Sequence, residues 1–361
     1  MRVLTILLFS AMMTACSLIP TQRSQDVTSS ETENRDFQKI EQQMKAQNFQ
    51  AVLTSVSEFK SAYPYSLKLQ KVRFFQGNAL EELGRWSEAA DTYKAISVIS
   101  ERNQPEISAM SIYRLSYVHE ALGDDQRVIA TLYEAAKYHK YLPVEVIQAE
   151  IPSRLAMVYS KENNAKEAQK WLGEADKGLK RTLESRTEPL TNPWLAQLYF
   201  NMGSISTEQL SSDNILTIIQ GQAAVQKYLI RSLQYNDSVW SAKALKKLKG
   251  TYLDLWKAIE SYPEPTGYEL LVAQKMKKDA QLELAGPFAD LMRDADLYRP
   301  GVEQKSNLFQ QEFFNFIEEL QTRVRSVLDS SVLTPLMPGR DKAPQKPRFP
   351  VKIVPSEDPN L

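Results

Sequence analysis

The sequence of 361 residues has one cysteine, Cys16, and two histidines, His119 and His139. A single cysteine excludes an intramolecular disulfide, and away from Cys16 it excludes thiolate zinc sites and cysteine nucleophiles. His119 falls within a helical pattern and lies twenty residues from His139, so packing explains it better than catalysis. The sequence contains no glycine-rich phosphate loop and no G-x-S-x-G elbow. It therefore predicts no enzyme, no metal site and no cofactor.

Glycine is also scarce, with 12 residues, and runs of β-branched residues are few. Abundant Ala, Leu, Glu, Lys and Gln residues favour an all-α protein. Neither sign of charge is in excess, because Lys+Arg and Asp+Glu both number 44. Bulk charge therefore gives no indication of a nucleic-acid partner. We likewise expect no small-molecule substrate, and the length suits one long α-solenoid or two ordinary domains.

Long hydrophobic runs are missing too. The apolar run from Val3 to Met13 is too short to span a bilayer and suits the core of a signal peptide. The following Met13-Thr14-Ala15-Cys16 resembles the bacterial lipobox, in which residues 1–15 are removed and the cysteine thiol is lipidated with palmitate-like chains. An ordinary signal peptide with an incidental cysteine is the alternative. Ser17, directly after this cysteine, resembles the residue found in lipoproteins that are sorted to the outer membrane. In such proteins three acyl chains would anchor the protein firmly.

The stretch after Cys16 is polar and has no periodic apolar face. We interpret residues 16–35 as the lipidated cysteine with a flexible tether. Fully extended, such a tether reaches about 60 Å at ~3.3 Å per residue. The domain would then stand away from the membrane, on its periplasmic side.

The stretch from Phe74 to Ile96 predicts two short helices joined by a tight turn. Gly84 lies between them, where a left-handed residue is needed. Gly77 on the first helix and Ala89 on the second allow close approach, with Trp86 and Tyr93 filling the adjacent space. The apolar residues recur at helical spacing: Phe74, Gly77, Leu80 and Leu83, then Ala89, Tyr93 and Ile96. This pattern resembles the tetratricopeptide (TPR) unit, which needs neighbouring units to bury its apolar face.

Similar patterns recur along the chain. Hairpins are predicted over residues 37–64, 108–138 and 147–179, with Gly123 and Asn163 at the turns of the latter two. Further pairs begin near Trp194 and Trp240, the former with an insertion of about nine residues centred on Ser211-Ser212-Asp213-Asn214. We predict an all-α, TPR-like α-solenoid of helical hairpins over residues 36–262. A C-terminal helical region, 263–334, would cap it, and the proline-rich residues 335–361 would form a disordered tail.

The TPR resemblance implies a groove lined by the first helix of each repeat. The matching positions are Phe74, Asn78 and Glu81, then Tyr113, Tyr117 and Glu120, and finally Met157. Two tyrosines beside a glutamate suit a peptide that carries apolar and basic groups. The alternative is that the tyrosines pack against the neighbouring repeat.

Lipobox, tether and hairpins together resemble bacterial outer-membrane TPR lipoproteins. The run from Lys45 to Val52, followed by Ala62-Tyr63-Pro64-Tyr65-Ser66 and Gln70, is similar to the start of the BamD-type assembly lipoproteins, over about residues 36–180. The resemblance implies a lipid-anchored, periplasm-facing scaffold that binds partner proteins in an outer-membrane assembly complex. Alternatives are a pilotin-like or envelope-motility accessory, or a cell-wall enzyme or its non-catalytic activator. The enzyme version lacks a catalytic constellation.

Overall fold

The computed structural model describes residues 22–186, 188–205, 213–301 and 305–325. Across these ranges the regular structure is helical and contains no strand, so the all-α prediction is confirmed. The chain divides into two compact units, Met1–Ile147 and Gln148–Leu361. The signal peptide, Cys16 and the tail at 335–361 lie outside the described residues, as do residues 206–212 of the expected insertion. No helix in the described ranges has the length and apolar character needed to cross a membrane.

The first unit stacks three helical hairpins. Its helices are α1 (Gln22–Lys45), α2 (Phe49–Ala62), α3 (Leu69–Glu82), α4 (Trp86–Ser100), α5 (Pro105–Ala121) and α6 (Asp125–Lys137). Each helix packs on the next one in sequence, and α3 also packs on both α1 and α5. The first helices of successive hairpins therefore lie side by side, which is the TPR-like arrangement that the sequence predicts.

The hairpin formed by α3 and α4 shows why this sequence makes the turn it does. Gly84 has φ +70°, the left-handed conformation that lets the chain reverse direction after α3. A Cβ at Gly77 would lie 2.6 Å from a ring carbon of Tyr93, so only glycine allows this ring to pack there. Ala89 and Tyr93 are fully buried. Leu83, assigned to the buried stripe by its spacing, is instead 40% exposed and ends the helix.

The other predicted turns follow the same chemistry. Gly123 has φ +72° and Asn163 has φ +56°, and both precede a helix N-terminus. The side chains of Asp124 and Asn164 then accept hydrogen bonds from the backbone amides of Arg127 and Glu167. A left-handed residue followed by an N-cap therefore links one helix to the next at each turn.

Helix α1 corrects the expectation of a flexible tether over residues 16–35. The helix begins at Gln22, so the described part of that stretch is helical. Glu33 accepts a hydrogen bond from the Ser66 hydroxyl (2.7 Å), and Asp36 accepts one from the Tyr63 hydroxyl (2.9 Å). These polar contacts attach residues 33–36 of α1 to the loop after α2, whereas Phe37 and Ile40, further along α1, are buried in the apolar core with α2. Hydrophobic periodicity therefore indicates the second half of α1 but gives no signal for the polar first half.

The second unit contains the remaining helices. A π-helical turn, Val146–Glu150, leads into α7 (Ile151–Lys161), followed by α8 (Ala165–Ser185), α9 (Asn192–Gly203), α10 (Ile215–Gln234), α11 (Trp240–Glu260), α12 (Leu270–Asp296) and α13 (Leu308–Arg325). Helix α7 pairs with α8, and α9 pairs with α10. In addition, α9 packs on both α7 and α11, so the first-helix contacts of TPR-like stacking recur here.

Two glycines set the closest helix approaches of this unit. A Cβ at Gly178 in α8 would lie 1.6 Å from the carbonyl oxygen of Gln148, which belongs to the π-helical turn. A Cβ at Gly203 in α9 would lie 2.5 Å from the side chain of Leu229 in α10. Small residues at these points therefore fix how near the helices come to each other.

Helices α12 and α13 cover α10 and α11, as expected for a C-terminal cap of the stack. Phe288 of α12 and Phe313 of α13 are fully buried and flank Tyr252 of α11, at ring-centroid distances of 5.9 and 6.2 Å. Phe314, which lies off the main apolar stripe of α13, is only 2% exposed. Helix α13 is therefore buried on two sides, as its sequence indicates.

Candidate functional site

Six of the seven residues predicted to line a groove lie on α3 and α5 of the first unit. Phe74, Asn78 and Glu81 belong to α3, whereas Tyr113, Tyr117 and Glu120 belong to α5. Because α3 and α5 pack side by side, the two sets share one part of the unit. The seventh residue, Met157, belongs to α7 of the second unit, where it is 6% exposed.

Glu81 is the centre of a buried polar cluster and does not lie on the surface. It is 4% exposed and forms an ion pair with Arg114 of α5, whose Nε donates to Glu81 Oε2 at 3.0 Å. The Tyr93 hydroxyl lies 3.2 Å from the same oxygen and also reaches Oδ1 of Asn78. The other carboxylate oxygen, Oε1, is buried and accepts no hydrogen bond from the described residues. Glu81 therefore ties α3 to both α4 and α5.

Burial sets the electrostatics of this cluster. Burial raises the pKa of the Glu81 carboxyl, and the charge and hydrogen bonds of Arg114 oppose that rise. Burial would lower the pKa of Arg114, but the Glu81 carboxylate holds it above its ordinary value. Burial and the Glu81 charge both raise the pKa of Tyr93, so its hydroxyl stays neutral. The net result is a Glu81 pKa above its ordinary value, beside an Arg114 guanidinium that keeps its proton.

The two tyrosines of α5 occupy different environments. Their rings meet edge to face, with centroids 5.5 Å apart, and their hydroxyl oxygens lie 3.0 Å apart. Tyr113 is 6% exposed and packs in the interior, as the alternative interpretation expects. Tyr117 is partly exposed, and the Arg114 guanidinium lies 4.8 Å from its ring centroid. Hence Tyr117, with the cation beside it, is the tyrosine that a partner could touch.

The accessible part of this cluster is called the α3/α5 surface below. It consists of five partly exposed residues: Phe74, Asn78, Arg114, Tyr117 and Glu120. Arg114 was missed by sequence reasoning, which used only the family's groove positions. A signal was available, because an acidic residue at a core-facing position such as 81 requires a cation nearby.

The histidines give no sign of catalysis. His119 is 4% exposed within α5, and burial lowers the pKa of its imidazole, as expected for a packed side chain. His139 lies exposed just beyond α6. Across the described part of the chain, no three His, Cys, Asp or Glu side chains come together in a way that could hold a metal ion.

Comparisons with known proteins give structural likeness only. No protein-family model and no curated protein matches the chain. Among solved structures, BtubC (BKLC) from P. vanneervenii aligns over 69% of this chain and 97% of its own, with 14% identity and a TM-score of 0.42. The TPR2AB domain of yeast Sti1, in complex with pHSP90, aligns over 82% of this chain and 99% of its own, with 16% identity and a TM-score of 0.31. The fold assignment therefore rests on the helix packing within each unit.

Proposed function

We propose that this protein is a non-catalytic scaffold that holds a segment of another protein on the α3/α5 surface. The observation that carries the proposal is the arrangement of Tyr117 and Arg114. An aromatic ring and a guanidinium are partly exposed there, and both are held in place by buried partners, Tyr113 and Glu81. Tyrosine and arginine are the residues on which protein interfaces most often depend.

A surface of this kind is well prepared for binding. Arg114 is already held by Glu81, so little side-chain entropy is lost when a partner arrives. Because Glu81 is buried, Glu120 is the partly exposed acidic residue of this surface. The partner we expect is a peptide segment with apolar side chains for Phe74 and Tyr117 and a basic residue near Glu120.

We further propose that the scaffold is anchored to the bacterial outer membrane through a lipid on Cys16, faces the periplasm and works in an assembly complex of the BamD type. The lipobox-like residues before Cys16, and the placement of the chain's only cysteine there, support this proposal. Hydrophobic burial of acyl chains, at about 0.8 kcal/mol per CH₂, would make three chains a firm anchor.

The binding proposal is tested by photocrosslinking in cells. A photoreactive amino acid at position 117 should capture a protein, whereas the same probe at exposed position 94 of α4 should not. Equal capture at both positions would contradict the proposed surface. A captured barrel protein with its assembly factors supports the BamD-type role. A secretin, a motility subunit or a hydrolase would instead support the accessory or activator alternatives.

The anchoring proposal is tested separately with a fatty-acid analogue. The wild-type chain should incorporate the label and fractionate with outer membranes. Cys16→Ser should lose the label and leave the membrane. A Cys16→Ser variant that remains labelled and membrane-bound would refute lipidation at this residue.

A further inference from the structure

The second unit contains a pocket that the sequence did not predict. Its volume is about 640 Å³, which is within the usual range for small-molecule sites. It lies between residues of α9 and α10 and the segment that follows α12. Its lining includes three tyrosines and three cationic side chains: Tyr199, Tyr235, Tyr298, Arg231, Arg299 and Lys305.

Stacked tyrosines form one wall of the pocket. Tyr199 and Tyr235 are nearly parallel, with ring centroids 5.8 Å apart and planes 11° apart. Tyr228 continues the stack behind Tyr199 at 6.5 Å, and its hydroxyl donates to Asp176 at 2.9 Å. Tyr235 and Tyr298 are partly exposed toward the pocket, whereas Tyr199 is only 4% exposed. The wall is therefore flat and fixed in position.

The cations at this wall differ in how they are compensated. Arg299 forms ion pairs with Asp296 at 2.8 Å and Glu318 at 2.9 Å, so its charge is neutralised within the protein. Arg231 lies with its guanidinium 5.7 Å from the Tyr199 ring centroid. Neither Arg231 nor Lys305 makes an ion pair with any carboxylate of the described ranges. Among the residues that the structure describes, these two cations at the pocket therefore have no carboxylate counter-charge.

The tyrosine hydroxyls add neutral donors. Burial, together with the neighbouring Tyr199 hydroxyl, raises the pKa of Tyr235 to about 12, and the nearby Arg231 charge only partly opposes this rise. Burial also raises the pKa of Tyr298, with Arg231 again acting in the opposite direction and Asp294 adding to the rise. Both hydroxyls therefore remain protonated at physiological pH, and that of Tyr298 can donate a hydrogen bond to an anion, whereas that of Tyr235 already has Tyr199 as a hydrogen-bond partner.

We propose that this pocket binds a small organic oxyanion, a carboxylate or phosphate ester, with its charged group at Arg231 and Lys305 and its body on the tyrosine wall. A guanidinium matches the two oxygens of either group with a pair of parallel hydrogen bonds. The pocket volume far exceeds that of a bare anion, so the ligand carries a larger body. Stacked tyrosine rings favour a ligand whose body is flat.

The test uses the full chain in detergent micelles, with phenyl phosphate, benzoate and inorganic phosphate as separate probes in isothermal titration calorimetry. Saturable binding of phenyl phosphate or benzoate is expected, and the tighter of the two identifies the charged group. Binding should weaken as salt is raised from 50 to 300 mM, because screening reduces the attraction of exposed charges. Failure of both aromatic probes to bind at millimolar concentration would overturn the proposal. So would inorganic phosphate that binds as tightly as phenyl phosphate, because the tyrosine wall would then contribute nothing.

Two variants locate the site. Arg231→Gln should weaken the binding of the tighter probe at least tenfold, because a charge-assisted hydrogen bond is lost. Tyr235→Phe keeps the ring and loses only the hydroxyl, so a smaller, few-fold loss is expected. Arg293→Gln is the matched control, since Arg293 pairs with Asp290 on α12 and does not line the pocket. Equal affinity of Arg231→Gln and wild type would refute the assignment. This assay contains no partner protein, so its outcome is independent of the proposed scaffold function.

Discussion

Two glycines of the same helix should respond in opposite directions to alanine. Gly173 and Gly178 both lie within α8. A Cβ at Gly173 meets nothing within 4 Å, so Gly173→Ala should stabilise the protein by about 0.5–1 kcal/mol through helix propensity. A Cβ at Gly178 would lie 1.6 Å from the Gln148 carbonyl oxygen, far inside van der Waals contact. Gly178→Ala should therefore force the π-helical turn away from α8.

The cost at Gly178 can be estimated from this overlap. The obstructing atom belongs to the backbone beside fully buried Ala149, so it cannot move aside as a side chain could. Overpacking of a core costs about 1–3 kcal/mol or more, and the propensity gain of about 1 kcal/mol offsets only part of it. We expect net destabilisation of about 2 kcal/mol for Gly178→Ala. The two variants should then differ by about 3 kcal/mol.

Thermal unfolding followed by circular dichroism at 222 nm checks this estimate. At about 2–4 °C per kcal/mol for a domain of this size, the Tm of Gly178→Ala should fall by about 4–8 °C. The Tm of Gly173→Ala should rise by about 1–4 °C. A shift of both variants in the same direction would refute the claim that close backbone approach, and not helix propensity, dictates glycine at position 178.

Three further outcomes are expected. Tyr113→Ala should lower the free energy of unfolding by about 3 kcal/mol because its ring is buried. Tyr117→Ala should weaken crosslinking to the partner with little change in Tm. A larger fall in Tm for Tyr117→Ala than for Tyr113→Ala would contradict this assignment. Glu81→Gln should lower the free energy of unfolding in urea by about 1–3 kcal/mol, because Arg114 loses its counter-charge. An unchanged urea midpoint would exclude a stabilising role for the ion pair. Tyr235 should hold its proton to about pH 12, whereas a tyrosine in the unfolded chain ionises near pH 10, so its contribution to the free energy of unfolding declines between these pH values. The measurement is the difference in absorbance at 295 nm between wild type and Tyr235→Phe as the pH is raised. A difference that develops near pH 10 would contradict the burial of Tyr235.

Local sequence chemistry predicts much of this fold because each hairpin is specified by nearby residues. Gly84, Gly123 and Asn163 were placed correctly at left-handed turns, since few residues tolerate that conformation. The contact between Gly77 and Tyr93 was also predictable, because the two positions face each other across one turn. Such features depend on spacings that a sequence displays directly.

Other features depend on contacts between distant residues. The ion pair of Glu81 with Arg114 joins successive repeats, and the α1 attachment pairs Glu33 with Ser66 through polar groups that leave no apolar period. The pocket of the second unit requires the segment after α12 to return to α9 and α10, which no local pattern indicates. The groove residues could be named from a family pattern. Their burial, which separates Tyr113 from Tyr117, required the packed structure.

The start of α1 at Gln22 changes the distance expected between the protein and a bilayer. If Cys16 carries the lipid, six peptide units separate it from the first helical residue, and these span at most about 20 Å. The first unit would then sit next to the lipid headgroups, and its orientation toward them would be restricted. Any partner that emerges from the membrane would meet the hairpin stack within a few nanometres of the bilayer surface. Inserting a long Gly/Ser segment before Gln22 would remove that constraint while leaving every described contact intact.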